Sequence, residues 1–131
     1  MNAGNSATPL GKVRGLGPAG NVGHHWLEER LISVAILLLS LWLIFSLMML
    51  PSLDRHTLAE WLRAPAGAVP MALFVITAFR HGLDGMKVVV DDYVHDDGTR
   101  IGLHIVLTMV AIGGAALALF ALAKIAFGVP A

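Results

Sequence analysis

A histidine within an apolar segment is the feature of this sequence that could do chemistry. His81 follows residues 69–79, which are uncharged, and three more ionisable residues stand within six positions of it: Arg80, Asp84 and Lys87. An ionisable side chain inside a membrane is costly, so each one is a candidate for a functional site with a partner. A neutral imidazole can bind haem iron, and Gly82 and Gly85 leave room for a macrocycle beside the helix. The alternative is a histidine that hydrogen-bonds a neighbouring helix.

A haem held by two histidines would need a second axial ligand, and this chain offers none at the right depth. His81 lies ten residues before Asp91, roughly 15 Å from the membrane edge on a regular helix, whereas His104 is only about 5 Å deep. The remaining histidines lie outside the apolar segments: His24, His25, His56 and His95. If His81 binds haem, the sequence therefore predicts a partner membrane protein that supplies the other histidine.

The adjacent pair His24-His25 also raises the question of a metal site. Neighbouring residues on one helix point in different directions, so the two imidazoles would not converge on one ion. We therefore do not predict a metal ion there.

Two arginines have a choice of partners. Arg80 is too deep to face lipid cheaply, and it would be satisfied either by a haem propionate or by Asp84, four residues along the helix. Arg30 stands at the edge of the first apolar segment, where it could meet a propionate or act as a flanking positive anchor.

The pair Asp92-Tyr93 follows the second apolar segment and could bind a quinone. The phenol can donate a hydrogen bond to a quinone carbonyl, and the carboxylate beside it can tune or relay protons. The alternative is an interfacial tyrosine with a flanking acid. Lys87 and His95 are further candidates for proton delivery or for surface contacts.

Composition identifies the class of protein that must position these residues. Of the 131 residues, 56% are hydrophobic and 14% are charged, and the mean hydropathy is +0.74. A soluble domain has roughly a quarter charged residues, so an integral membrane protein is expected. The 9 basic residues balance the 9 acidic ones, so the chain has no net positive charge that would attract nucleic acid. The absence of cysteine excludes disulfides and any iron–sulfur cluster bound by this chain.

The apolar runs predict an all-α membrane protein with three transmembrane helices, over about 31–50, 67–91 and 101–127. The first run has 20 uncharged residues, which matches a hydrocarbon core of about 30 Å. Residues 52–65 read as a polar connection and residues 96–99 as a turn. The glycine-rich residues 1–23 are predicted to be a flexible or partner-bound tail ahead of a single membrane domain, residues 24–131. That tail has no apolar core of the kind found in a cleavable signal peptide.

The distribution of positive charge predicts the orientation. Three spans place the chain ends on opposite sides of the membrane. Five basic residues belong to the N-terminal side and three to the other side: Lys12, Arg14, Arg30, Lys87 and Arg100 against Arg55, Arg63 and Lys124. The excess favours a cytoplasmic N-terminus, with Tyr93 at the cytoplasmic edge.

One sequence pattern on the second span resembles a known family. The pattern is Arg80-His81-Gly82-x-x-Gly85-Met86-x-Val88-x-x-Asp91-Asp92-Tyr93-Val94, preceded in the chain by His24-His25-Trp26-x-x-x-Arg30. It is similar to the small hydrophobic membrane anchor of succinate dehydrogenase, its D subunit, in the alphaproteobacterial and mitochondrial-like branch. The resemblance covers about residues 21 to 127.

The resemblance implies a role in respiratory complex II, in the bacterial inner membrane. It implies three partners: a flavoprotein, an iron–sulfur protein and a second membrane anchor, the cytochrome b anchor or C subunit. Haem b would be shared between the two anchors, with ubiquinone as the substrate. By position, His81 matches the axial ligand of the haem iron, Tyr93 the quinone-binding tyrosine, Asp92 the acid beside it, and Arg30 a residue near a haem propionate. Arg80 stands where some relatives have an apolar residue.

Within that resemblance the chain alone would not be an enzyme, but part of an oxidoreductase complex that links the tricarboxylic acid cycle to the respiratory chain. Two alternatives stay open. The same type of anchor could serve a quinol:fumarate reductase. The charged residues of the second span could instead line the path of a small transporter or channel without haem.

Overall fold

The structure is a computed structural model that describes residues 20–128, with side chains from Trp26 onward. It contains four helices: α1 Gly20–Met48, α2 Arg55–Arg63, α3 Pro65–Tyr93 and α4 Asp97–Phe127. Three of them are long and apolar enough to cross a membrane, over Trp26–Met48, Pro65–Tyr93 and Asp97–Phe127. The prediction of an all-α protein with three spans is therefore confirmed. Most of the predicted tail, residues 1–23, lies outside the described residues.

The polar connection between the first two spans contains a short helix, α2, that the sequence did not predict. Asp54 caps its first turn, because its carboxylate accepts hydrogen bonds from the Thr57 backbone N–H at 2.9 Å and the Thr57 hydroxyl at 3.1 Å. The Ser52 hydroxyl also donates to this carboxylate. That bond, followed by the Thr57 amide, lowers the pKa of Asp54 from 3.8 to about 2.

Trp61 fixes α2 between its neighbours. Its ring stacks on Trp42 of α1, with ring centroids 5.6 Å apart. On the α3 side, a Cβ added at Gly67 would collide with the Trp61 backbone oxygen and would lie 3.3 Å from the ring. A glycine at position 67 therefore allows the start of α3 to approach α2 this closely.

The helix α3 begins at Pro65 and continues through Pro70. Proline is tolerated in a first turn, because the amide it lacks there would have no partner within the helix. Further along, the Phe79 ring lies against Gly114 of α4, where an added Cβ would be 2.6 Å from a ring carbon. Small residues thus permit close packing of α3 on α4, as is usual between helices in lipid.

Hydroxyl groups inside the spans bond to their own helices. Ser40, Thr77 and Thr108 each donate to the carbonyl oxygen four residues earlier, at 2.7 Å. Each of these bonds gives the hydroxyl a hydrogen-bond partner, which the lipid chains could not provide.

The corner between α3 and α4 is closed by a second acidic cap. The Thr99 backbone N–H donates to Asp96 at 2.8 Å, and the Asp96 carboxylate therefore stabilises the first turn of α4. Hydrogen bonds from Thr99, first from its hydroxyl and then from its amide, lower the pKa of Asp96. The capped corner places Tyr93, at the end of α3, next to the start of α4.

Candidate haem and quinone site

His81 lies on a face of α3 that α4 does not cover. The α3 residues that face α4 include Phe79, Leu83 and Met86, which line an apolar groove of about 380 Å³ together with residues of α4. His81 is two residues after Phe79, and so it is turned by about 200° from Phe79 around the helix axis. It is exposed in the single chain. Its imidazole is therefore available to a group or a protein outside this chain.

The surroundings of His81 fit a haem in shape and in chemistry. A Cβ added at Gly82 or at Gly85 would meet no atom within 4 Å, so the backbone is open beside the imidazole. No group of three His, Cys, Asp or Glu side chains among the described residues could hold a metal ion. Haem iron can be held by a single histidine nitrogen from one chain, so a haem site at His81 would not require such a group.

Arg80 pairs with Asp84. The Arg80 Nε atom lies 2.8 Å from an Asp84 carboxylate oxygen, one helical turn away. This is one of the two partners predicted for Arg80, and it neutralises both charges within the span. A contact between Arg80 and a haem propionate stays a prediction. It would require the Arg80 guanidinium to bind both carboxylates or to break its ion pair with Asp84.

The quinone candidates lie at the end of α3, both on the surface of the single chain. Tyr93 is 79% exposed, and Asp92 is also exposed. Tyr93 comes twelve residues after His81, which corresponds to roughly 18 Å along the helix. The two candidate sites are thus separate places on one helix, at the middle of the span and at its edge.

A cluster next to these residues was not predicted from the sequence. The His104 Nε2 atom of α4 lies 3.1 Å from an Asp91 oxygen, and Arg100 Nε lies 4.0 Å from the same oxygen. The His104 nitrogen is buried, and its contact with Asp91 does not have the geometry of a hydrogen bond. The two side chains are therefore close together but not hydrogen-bonded. Arg100 also bonds Asp97. The cluster joins the two helices beside Asp92 and Tyr93.

Symmetry about the corner could have revealed this cluster. Asp91 stands five residues before the cap Asp96, and His104 stands five residues after Thr99. In an antiparallel helix pair, residues equally far from the turn lie at the same height. The depth of His104 had suggested only that it is too shallow to be a haem ligand.

Arg30 lies over the Trp26 ring, with its guanidinium carbon 5.0 Å from the ring centroid. A tryptophan at the edge of an apolar span is typical of a membrane interface, and the anchor role of Arg30 beside it stays a prediction. Its alternative contact with a propionate stays a prediction. The side chains of His24 and His25 lie outside the described residues.

Comparisons with known proteins indicate the family of this chain. A family described as succinate dehydrogenase/fumarate reductase transmembrane subunit matches residues 4–123. The chain is similar to the succinate dehydrogenase hydrophobic membrane anchor subunit of Rickettsia bellii, with 31% identity over 101 residues that cover 77% of this chain and 81% of the relative. The corresponding protein of Rickettsia conorii is 30% identical over 102 residues, with the same coverage of each chain. No solved structure matches.

The family match covers most of the chain, and the relatives are matched over most of their own length. Three apolar helices and the pattern from Arg80 to Val94 agree with it. The chain therefore belongs to the succinate dehydrogenase/fumarate reductase transmembrane subunit family, as a hydrophobic membrane anchor similar to those of alphaproteobacteria.

Proposed function

We propose that this chain is an anchor of a succinate:ubiquinone oxidoreductase, and that it provides one ligand of a shared haem b and part of the quinone site. The observation that supports the proposal most is the family match over residues 4–123, which includes the whole second span with His81 and Tyr93. The chain itself does not oxidise succinate. It holds the catalytic subunits on the membrane, and electrons reach the quinone there.

His81 would hold the haem iron through a ring nitrogen. Its place near the middle of the span, on the open face of α3, supports this role. A bound haem b can take up and release single electrons. Arg30 and Arg80 are the residues of this chain that could neutralise its propionates, since each carries a fixed positive charge.

Tyr93 donates its phenolic hydrogen bond to a carbonyl oxygen of ubiquinone and so orients the ring. Asp92, next to it, relays to the quinone the protons that its reduction consumes. The exposure of both residues at the end of α3 supports the proposal, because a substrate from the bilayer can reach them.

The partners follow from the same proposal. The second anchor, a cytochrome b protein, supplies the other haem ligand, and an iron–sulfur protein and a flavoprotein bind at the membrane surface. The membrane is the bacterial inner membrane, with the N-terminus and the Tyr93 end on the cytoplasmic side. The iron–sulfur protein then lies next to the quinone site.

A quinol:fumarate reductase is the second candidate, because the description of the matching family names both enzymes. The direction of electron flow depends on the cofactor potentials and on the quinone. Assays of the purified complex with succinate and ubiquinone, and with fumarate and a reduced quinone, would distinguish the two by their relative rates.

The proposal is tested by purifying the complex through a tag on this chain and recording its reduced-minus-oxidised visible spectrum. We expect a b-type haem band and three co-purifying subunits from the native chain. His81→Ala should abolish or shift that band while part of the complex still assembles. His104→Gln is the matched control, since it alters a histidine of the same helix pair that lies near the membrane edge.

A complex of His81→Ala with an unchanged haem spectrum would refute the ligand assignment. A colourless native protein, isolated gently enough to keep its partners, would instead favour the transporter alternative. In that case four residues would line a polar path through the span: Arg80, His81, Asp84 and Lys87.

A further inference from the structure

A groove with positive charge lies at the other end of the molecule from Tyr93. It has a volume of about 920 Å³, and it is formed by one face of α2 and the last turns of α4. Arg55 and Arg63 contribute to it from α2 and Lys124 from α4. Arg55, Ala59 and Arg63 are spaced four residues apart, which places them on one side of the helix. Trp61, which contacts α1 and α3, lies on the other side.

The positive charges of this groove are not matched by acidic residues of the described chain. Two acidic residues belong to this region: Glu60 lies 3.7 Å from His56, and Asp54 bonds Ser52 and Thr57. Across residues 26–128, no ion pair includes Arg55, Arg63 or Lys124.

Arg63 is the half-buried cation of the groove. Its Nε atom is covered by the chain itself and has no hydrogen-bond partner in the described part of the chain, so this atom is not the one a ligand would contact. A half-buried positive charge without a counter-charge is costly. We therefore expect an anion from outside residues 26–128 at the open side of the guanidinium.

The rest of the groove is apolar and lies at a membrane surface. Leu58, Leu62 and Ile125 line it together with the cations. The helix α2 joins two spans, and Lys124 lies in the last turn of the third span, so the groove is at the level of the lipid headgroups. A ligand that combines an anionic head with an apolar tail suits such walls.

We propose that this groove binds an anionic phospholipid, with its phosphate between Arg63 and Lys124 and an acyl chain along the leucines. The guanidinium offers two parallel N–H donors to phosphate oxygens, and the lysine adds a charge. A free phosphate ion would leave the apolar wall uncovered, so a lipid is favoured over a soluble anion. The site is independent of the proposed haem and quinone functions.

The test uses the tagged complex after lipid removal in detergent, titrated with dioleoylphosphatidylglycerol or dioleoylphosphatidylcholine and followed by native mass spectrometry. We expect preferential retention of phosphatidylglycerol. The double variant Arg63→Gln/Lys124→Gln should weaken that binding about tenfold or more, because two charge-assisted contacts are lost. Binding of phosphatidylcholine should not change. Lys87→Gln is the control, since it removes one charge from α3 outside the groove.

A second variant separates charge from folding. Arg63→Lys/Lys124→Arg keeps both charges and should bind phosphatidylglycerol nearly as well as the native complex. Equal affinity for phosphatidylglycerol in the native complex and in the double glutamine variant would overturn the proposal. So would competition by millimolar inorganic phosphate, which would indicate a site for a free anion. Loss of a partner protein in the glutamine variant, with lipid binding unchanged, would point to an acidic protein surface instead.

Discussion

His81 and Tyr93 share one helix but differ in position and direction. Twelve residues correspond to roughly 18 Å along the axis and a rotation of about 120°. A substitution at one residue therefore need not disturb the other. Arg80 and Asp84 lie 2.8 Å apart on the same helix and neutralise each other's charge. This ion pair therefore does not link His81 to Tyr93.

This separation predicts the effect of Tyr93→Phe. The phenylalanine keeps the ring and removes the hydroxyl, so the hydrogen bond to the quinone is lost. We expect quinone reduction to slow by a factor of about 10² or more, as is typical when a positioned donor to a developing oxyanion is removed. The haem spectrum should stay unchanged. Succinate oxidation with an artificial acceptor that bypasses the quinone is the control, and normal quinone turnover would contradict the role of Tyr93.

Gly67, at the junction of α2 and α3, is a residue whose small size is required for the close packing of these two helices. Gly67→Ala would place a Cβ against the Trp61 backbone oxygen, so the start of α3 must move away from α2. We expect a loss of about 1–3 kcal/mol in stability, as for other overpacked sites. A change in tryptophan fluorescence should accompany it as Trp61 leaves Trp42.

Gly102→Ala provides the matched control for this substitution. An added Cβ at Gly102 meets no atom within 4 Å, and alanine is the better helix former by up to about 1 kcal/mol. Thermal unfolding of the complex in detergent would compare the two variants. If Gly67→Ala were as stable as Gly102→Ala, the close approach of α2 and α3 would not be required.

At the level of the elements, the three spans were predictable and the short helix was not. Lipid forces every backbone polar group to bond internally, so a long apolar run has to be helical. The nine residues of α2 are polar and amphipathic, and such a segment could equally be an extended connection. Its helical state depends on the Asp54 cap and on Trp61 packed between α1 and α3, which are contacts between elements. The Asp91–His104 pair is also a contact between elements, but the symmetry of the corner between α3 and α4 could have indicated it.

The cap at Asp54 predicts a dependence of α2 on pH. The folded-state pKa is about 2, below its ordinary value of 3.8, because the Ser52 hydroxyl and then the Thr57 amide bond the charged form. The stabilisation is therefore complete above about pH 4, the ordinary range of an aspartate, and is lost as the pH falls toward 2. We expect the native chain to be more stable than Asp54→Asn at neutral pH, and the difference to shrink in acid. Unfolding of both chains in detergent at several pH values would measure it, and a constant difference would contradict the cap.

At the level of the whole molecule, the chain buries little of its apolar surface. Val90 is the only hydrophobic residue among those described that is buried, at 8% exposure. Large side chains on all three spans face outward, including Leu38, Phe45 and Met109. Lipid can cover such a surface, but the exposed imidazole of His81 requires a polar or metal-bearing partner. The depth of this histidine in the sequence predicts such a partner, whereas the side of α3 on which the partner would bind follows from the packing of Phe79 against Gly114.

The charge distribution makes a prediction about the molecule as a whole, namely that its Tyr93 end is cytoplasmic. Five basic residues on that side against three on the other predict this orientation. The chain has no cysteine, so any label found on this chain reports the single introduced thiol. His95→Cys and His56→Cys place it in exposed positions at the two ends of the spans. We expect a membrane-impermeant maleimide to label His56→Cys from outside the cell and His95→Cys only in inverted vesicles. The reverse pattern would move the proposed quinone site to the outer side, where cytoplasmic succinate-oxidising subunits could not reach it.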